Sequence, residues 1–198
     1  MNSALPAHKP YRPVRTVLRH LRDGRPVKVR ALVADDLEQA NAFFEKLSAE
    51  SRYLRFMAPM PYLSPDVMAR LQRDLHAERS CVLVAAVDHE GQSCLIGGGR
   101  IVATDRPSVC EFSLTILDAW HGQGLGKVLL RELEHQAKRL GYHQIEGAVL
   151  TINVKMLAVA LHRGFHLHCE RGDRGVMHVY KHLYTPVNAP HRSLPVPD

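Results

Sequence analysis

Polar and apolar residues alternate with two different periods in the first half of the chain. Residues 1–22 contain three prolines that break any early helix, so an irregular arm is predicted there. Asp23-Gly24 is a turn signal, and the period-two alternation after it predicts a strand over residues 27–33. Apolar residues at helical spacing predict three helices between residues 35 and 76, the third capped by Ser64.

The second half of the chain is predicted to be mostly strands. Apolar and β-branched runs indicate strands over residues 81–87, 95–103, 109–117, 144–150, 165–169 and 176–183. The run Gly97-Gly-Gly99 is expected to weaken or kink the second of these strands. Helical periodicity indicates a long helix from Leu125, ended by Gly141, and a short one over residues 153–163, ended by Gly164.

This order of elements predicts one α+β domain whose mixed, mostly antiparallel central sheet is flanked by helices. The chain has 198 residues, 45% of them hydrophobic, which is enough to bury a core. The expected boundaries are a basic arm over residues 1–22, the domain over 23–184, and a proline-rich tail over 185–198.

Charge and cysteine content constrain the partners and the compartment. Residues 1–30 contain eight Lys or Arg and one Asp, so the net charge of +6 comes from this leader and the remainder is nearly neutral. The leader has the character of a solvated arm, and no motif supports binding of nucleic acid. No apolar run predicts a signal peptide or a membrane span. Four cysteines without a C-x-x-C spacing favour reduced thiols, so a cytoplasmic protein is expected.

The segment His121-Gly-Gln-Gly-Leu-Gly-Lys127 carries the strongest signal for a ligand. Its three glycines remove every Cβ from a tight turn, so that a ligand can approach the backbone. The unpaired N–H groups and the dipole of the helix that follows favour an anion, which predicts a phosphate-binding loop. A Walker A loop would need Gly at His121 and Ser or Thr at Val128, and the dinucleotide fingerprint would need Gly at Lys127. The segment fits neither.

The loop and its surroundings resemble the GNAT superfamily of acyl-CoA N-acyltransferases. Gly124 and Gly126 match the two glycines of that family's pyrophosphate motif, and Asn153 with Arg163-Gly-Phe165 is similar to its N-x-x-A…G-F signature. In order and spacing, the resemblance covers residues 82–183.

Further segments look like the catalytic domain of Pat-type bacterial protein lysine acetyltransferases. They are Asp23-Gly-x-x-Val-x-Val-Arg30, Leu47-Ser-x-Glu-Ser-Arg-Tyr-Leu-Arg-Phe56, Cys110-Glu-Phe112 and Asp118-Ala-Trp120.

The resemblance implies the GNAT fold, acetyl-CoA as cosubstrate without a metal, and direct attack of an amine on the thioester. Glu111 matches the glutamate that serves as general base in Pat-type enzymes. A backbone N–H near Leu114, Thr115 or Ile116 would bind the oxyanion, and Thr115 or Ile116 would line the cofactor. Asn153 would hydrogen-bond the amide arm of the cofactor or cap its helix. The residues implied to hold the pyrophosphate are His121, Gly122, Gln123, Gly124, Leu125, Gly126 and Lys127.

Two positions depart from the family pattern. His121 stands where Gln or Arg usually helps to hold phosphate. Its ring could bind phosphate in a pH-dependent way, or it could merely face solvent, and the sequence leaves both possibilities open. Ala160 stands where many members have a tyrosine that protonates the CoA thiolate. Because a thiolate is a tolerable leaving group, a general acid is dispensable, and Tyr142, Tyr180 or water could serve.

Other residues suggest alternatives to an amine acetyltransferase that acts on protein lysine. His166-x-His168 places two imidazoles on one strand face, but no zinc-type ligand spacing accompanies them, so no metal is expected. Cys110 lacks a paired Cys/His/Asp motif for a nucleophile. A small-molecule amine acetyltransferase and a non-catalytic acyl-CoA sensor remain open, as does the oligomeric state, a homodimer included.

Overall fold

The computed structural model describes residues 14–169 and 174–184, which form one sheet with helices on both faces. The strands are β1 (Val17–His20), β2 (Pro26–Ala31), β3 (Cys81–His89), β4 (Gln92–Ala103), β5 (Val109–Ile116), β6 (Gln144–Leu150), β7 (His166–His168) and β8 (Val176–His182). The helices are α1 (Leu37–Glu45), α2 (Ala49–Phe56), α3 (Pro65–His76), α4 (Leu125–Arg139) and α5 (Val154–His162).

The sheet has eight strands in the order β1-β2-β3-β4-β5-β6-β8-β7. Every neighbouring pair is antiparallel except β5 and β6, which are parallel because α4 carries the chain across between them. The predicted α+β class with a mixed, mostly antiparallel sheet is therefore confirmed.

One face of the sheet packs against α4 and α5 and holds the larger hydrophobic core. Gly97 and Gly99 of β4 leave room for this contact, because a Cβ at Gly97 would lie 3.2 Å from both Leu125 and Leu129 of α4. At Gly99 a Cβ would lie 2.9 Å from Leu133. The expectation that these glycines weaken or kink β4 holds on one side only: the pairing with β3 has an irregularity beside Gly97, whereas β4 pairs with β5 in unbroken register through all three glycines.

The opposite face of β2 to β4 packs against α1 and α3. Its smaller core contains Leu32, Val82 and Val84, with Phe43 of α1 and Leu71 of α3 packed over them. Helical spacing in the sequence placed these side chains on one side of each helix, so the predicted helices are confirmed to within a few residues.

The predicted irregular arm over residues 1–22 needs a correction in its second half. Val17–His20 forms β1, an edge strand paired antiparallel with β2. The prolines end at Pro13, so nothing prevents the next residues from pairing. Residues 1–13, and the predicted tail over 185–198, lie outside the described residues.

A buried ion cluster ties α4 to the end of α5 and to β8. Glu134 is only 4% exposed, and its carboxylate accepts from Arg163 Nε and Nη2 at 2.9 Å each and from Lys181 Nζ at 2.7 Å. Because the carboxylate is fully paired, its burial is tolerated.

Within the described ranges, no helix combines the length and the apolar composition needed to cross a membrane.

Candidate active site

Strands β5 and β6 pair only along their first three residues and then separate. The last pair in register is Glu111 with Glu146. At the next position Gly147 is required, because a Cβ there would lie 2.9 Å from the Phe112 ring and 3.0 Å from its carbonyl oxygen. Among the described residues, no strand therefore pairs with this edge of β5 from Phe112 onwards, although it lies in the middle of the sheet.

The hydrogen-bond ladder between β4 and β5 shows which peptide groups face this opening. Leu117 N donates to Ile96 O of β4 at 3.0 Å, and Thr104 N donates to Val109 O at the other end of the ladder. Because antiparallel ladders alternate, the odd-numbered residues of β5 bond β4 and the even-numbered ones face away. Of the three residues predicted to contact acetyl-CoA, Leu114 and Ile116 thus present their N–H groups to the opening. Thr115 turns its backbone towards β4.

The glycine loop lies at the end of β5 and presents a row of free backbone donors. Gly122 and Gly124 have φ of 76° and 88°, a backbone conformation that favours glycine. Among the described residues, the five consecutive N–H groups from Gly122 to Gly126 find no backbone or side-chain acceptor. The first turn of α4 contains no acidic side chain. A row of free donors at a helix N-terminus fits the pyrophosphate of CoA.

Glu111 lies on the face of β5 that points away from α4, and its side chain is exposed. On the same face Ser113 accepts a hydrogen bond from Arg55 Nη2 of α2 at 2.7 Å. Burial and the neighbouring Arg100 lower the pKa of Arg55 to about 10, whereas the charge of Glu111 opposes this shift. The carboxylate and the guanidinium are therefore close enough to interact.

A cavity of about 140 Å³ opens on this face beneath α1, α2 and α3. Its walls are mostly apolar, with Phe43 and Leu71 among them. The polar side chains that line it are Arg55, Arg100, Ser113 and Thr115.

Asp118 joins the loop region to α2. Its carboxylate accepts from Ser48 N at 3.0 Å, from Ser48 Oγ at 2.7 Å and from Ser51 Oγ at 2.8 Å. Desolvation alone would raise the pKa of Asp118, but these hydrogen bonds lower it to about 2. Two motifs that lie 70 residues apart in the sequence therefore meet at the end of β5.

A sequence model of the Acetyltransferase (GNAT) family matches residues 49–165, which include β5, the glycine loop and α5. The chain belongs to the GNAT acetyltransferase family. It is an acyl-CoA-dependent N-acetyltransferase, and acetyl-CoA is its cosubstrate.

Known GNAT relatives cover most of the chain. It is 32% identical over 145 residues to acetyltransferase PA5475 of Pseudomonas aeruginosa, which covers 73% of this chain and 77% of that protein. The GNAT domain of S. lividans PAT superposes with a TM-score of 0.74 and 28% identity, over 84% of this chain and 96% of that domain. A phosphinothricin acetyltransferase (Pat) from Sinorhizobium meliloti, solved in complex with acetyl-CoA, shares the fold with a TM-score of 0.61 and 20% identity, over 78% and 85%.

Two predicted cofactor residues of this GNAT enzyme make backbone contacts within the protein. The Nε2 atom of His121 lies 3.0 Å from the carbonyl oxygen of Ile116, so the ring lies against the open edge of β5. The Asn153 side chain accepts from Met156 N at 3.1 Å and caps α5, one of the two roles expected for it. The contacts predicted for both residues with CoA stay predictions.

The structure narrows the choice of general acid in this GNAT site. Tyr142 is fully buried, and its hydroxyl donates to Arg79 O at 2.6 Å, so it is removed from the candidates. Tyr180 lies on β8 directly opposite Glu146 and stacks on His166 at 5.3 Å between centroids. Ala160 is completely buried, and its methyl side chain has no proton to donate.

The histidine cluster and Cys110 were the other chemical candidates. In residues 14–169 and 174–184, no group of three or more His, Cys, Asp or Glu side chains has the arrangement of a metal site. Cys110 is completely buried, and this burial raises the pKa of its thiol to about 12. An inaccessible, protonated thiol cannot act as a nucleophile, so the role of small core residue is supported.

Arg55 and Arg22 are site residues that sequence reasoning did not identify. Arg55 reaches Ser113 across 58 positions, and Arg22 reaches the glycine loop across 100. No local pattern signals such contacts. The only available signal was the match of Arg55 to the segment shared with Pat-type enzymes.

Proposed function

We propose that this chain transfers an acetyl group from acetyl-CoA to the side-chain amine of a protein lysine, with Glu111 as the general base. The observation that carries the proposal is the position of Glu111. Its exposed carboxylate stands at the last residue where β5 and β6 pair, immediately before the opening. A thioester that lies in the opening would thus have the carboxylate beside it.

Each group of the site has a defined part in the transfer. Acetyl-CoA supplies the acyl group, and CoA leaves as a thiolate without the help of a further cofactor. An alkylammonium of pKa about 10.4 is almost fully protonated at neutral pH, so Glu111 takes one of its protons. The amine nitrogen then attacks the thioester carbonyl carbon, which forms the C–N bond and a tetrahedral oxyanion. As the oxyanion collapses, the C–S bond breaks, the nitrogen gives its second proton to water, and the sulfur takes up a proton from water or Tyr180. The outward-facing N–H of Leu114 or Ile116 stabilises the oxyanion.

An open surface next to Glu111 favours a protein as the acceptor. The strands β6, β8 and β7 continue the sheet on that side, and Ala148, His178 and His182 are exposed there. A macromolecule can therefore bring a lysine side chain to the carboxylate of Glu111 along this face. The resemblance of residues 47–56 and 110–112 to Pat-type protein lysine acetyltransferases supports the same acceptor class.

The test is a comparison of acceptors with labelled acetyl-CoA. Folded proteins and a panel of small amines are incubated with the wild type, with Glu111→Gln, and with Glu146→Gln as the matched control. The carboxylate of Glu146 is bound by Arg106 and Gln144, so its loss should alter the rate by less than about threefold. We expect label on protein lysines, lost by a factor of about 10²–10³ in Glu111→Gln.

Two outcomes would contradict the proposal. Transfer to small amines alone would make the protein a small-molecule acetyltransferase. Binding of acetyl-CoA without CoA release, unchanged in Glu111→Gln, would indicate an acyl-CoA sensor.

A further inference from the structure

The turn between β1 and β2 contacts the glycine loop, although it lies outside the segment that matches the family. Arg22 N donates to Gln123 O at 3.0 Å, and Arg22 Nη1 donates to Gly122 O at 3.3 Å. The aliphatic part of the same side chain covers Gly124, since a Cβ there would lie 3.5 Å from Arg22 Cγ. One residue therefore contacts three consecutive members of the loop.

The direction of these contacts determines what they can do. In a trans peptide the carbonyl and the N–H point in opposite directions. The carbonyl of Gly122 shares its peptide group with the N–H of Gln123, and the carbonyl of Gln123 shares its own with the N–H of Gly124. When Arg22 binds the two carbonyls, it holds two of the five free N–H groups facing away from itself.

The loop needs such a restraint because its glycines are flexible. Gly122 and Gly124 flank the two peptides, and glycine visits other backbone conformations more readily than any other residue. In those conformations carbonyl oxygens could replace N–H groups at the anion site. The guanidinium bound to Gly122 O and the backbone N–H of Arg22 bound to Gln123 O disfavour that reversal, and the guanidinium charge also attracts the phosphates.

We propose that Arg22 is a positioning residue for the pyrophosphate of CoA. It acts from the carbonyl side of the loop and keeps the amides of Gln123 and Gly124 directed at the ligand. The proposal rests on the glycine loop being the pyrophosphate site, and it is independent of the acceptor and of Glu111. It makes the β1–β2 turn part of the cofactor site.

Ligand binding is the appropriate readout, because it needs no acceptor. Affinities for CoA, dephospho-CoA and pantetheine are measured by calorimetry and competition for the wild type, Arg22→Ala and Arg22→Lys. Arg70→Ala on α3 removes the same charge from an exposed position and serves as control. Thermal unfolding without ligand is recorded for each variant.

We expect Arg22→Ala to weaken CoA and dephospho-CoA alike, by about tenfold, and to leave the affinity for pantetheine unchanged. Arg22→Lys should recover part of the loss, and Arg70→Ala should bind like the wild type. Equal losses for pantetheine, or a large fall in melting temperature, would mean that Arg22 is only structural. A loss confined to CoA would mean that it binds the 3′-phosphate directly, and no loss at all would also overturn the proposal.

Discussion

Replacing Gly147 by alanine perturbs the point where β5 and β6 separate. The new methyl group would lie 2.9 Å from a ring carbon of Phe112 and 3.0 Å from the Phe112 carbonyl oxygen. The ring cannot simply rotate away, since it packs edge-to-face on Phe165 with 5.4 Å between centroids. The backbone oxygen belongs to the central strand of the sheet, so one of the two strands must shift.

Overpacking of this kind costs about 1–3 kcal/mol in protein cores. Because one of the two close contacts is with a backbone atom, we expect a loss of about 2 kcal/mol. For a domain of this size, that loss lowers the melting temperature by about 4–8 °C. The affinity for acetyl-CoA should fall as well, because the opening begins at the same residues.

Thermal unfolding by circular dichroism measures the effect, and Gly126→Ala is the matched control. At Gly126 a Cβ would meet only side-chain atoms, the nearest at 3.5 Å, and alanine favours a helix. The control should therefore unfold at or above the temperature of the wild type. If Gly147→Ala unfolds at the wild-type temperature, the close packing that we describe between β5 and β6 is wrong.

Three further predictions concern groups outside the catalytic step. The pKa of Asp118 is about 2 in the folded protein and 3.8 in the unfolded chain. Its carboxylate therefore stabilises the fold fully above about pH 4, and this stabilisation is lost as the pH falls towards 2. After discounting for solvent exposure, we expect Asp118→Asn to lower the free energy of unfolding by about 1 kcal/mol at pH 7 and by little at pH 2, as measured by urea titration. Equal losses at the two pH values would contradict this prediction. Iodoacetamide should label the exposed Cys169 and spare Cys110 in the native protein, as mass spectrometry can show, and early labelling of Cys110 would refute its burial. Glu134→Ala should lower the free energy of unfolding by about 3 kcal/mol, because it leaves two cations without their partner. The control Glu38→Ala, at an exposed position, should lower it by less than about 0.5 kcal/mol, and equal effects would argue against the ion cluster.

Most secondary structure could be predicted because it depends on local patterns. The continuous apolar run of β3 and the helical spacing in α4 are set by which side chains face the core, and both elements lie where the sequence indicates. The glycine loop could also be predicted from the sequence, because a tight turn favours glycine, and two of the loop's glycines do have a positive φ. The exception was β1, whose four residues follow a proline-rich start and carry little pattern.

Long-range contacts could not be predicted from the sequence. Glycines in β4 predict a weak strand by propensity, yet here they make room for the leucines of α4, and packing decides the outcome. The bond between His121 and the carbonyl of Ile116, and that between Arg55 and Ser113, depend on the folded geometry. Glu111 was found through family resemblance, because an exposed strand carboxylate has no signature of its own.

The pH dependence of acetyl transfer in Glu111→Gln tests the central claim most directly. If Glu111 deprotonates the acceptor, kcat/KM should fall by about 10²–10³ at pH 7, and the deficit should shrink as the pH approaches the amine pKa of about 10.4. Free amine then becomes available without a base, while the affinity for acetyl-CoA should match the wild type throughout. A deficit of constant size across this range, or no deficit at pH 7, would contradict the role of Glu111 as general base.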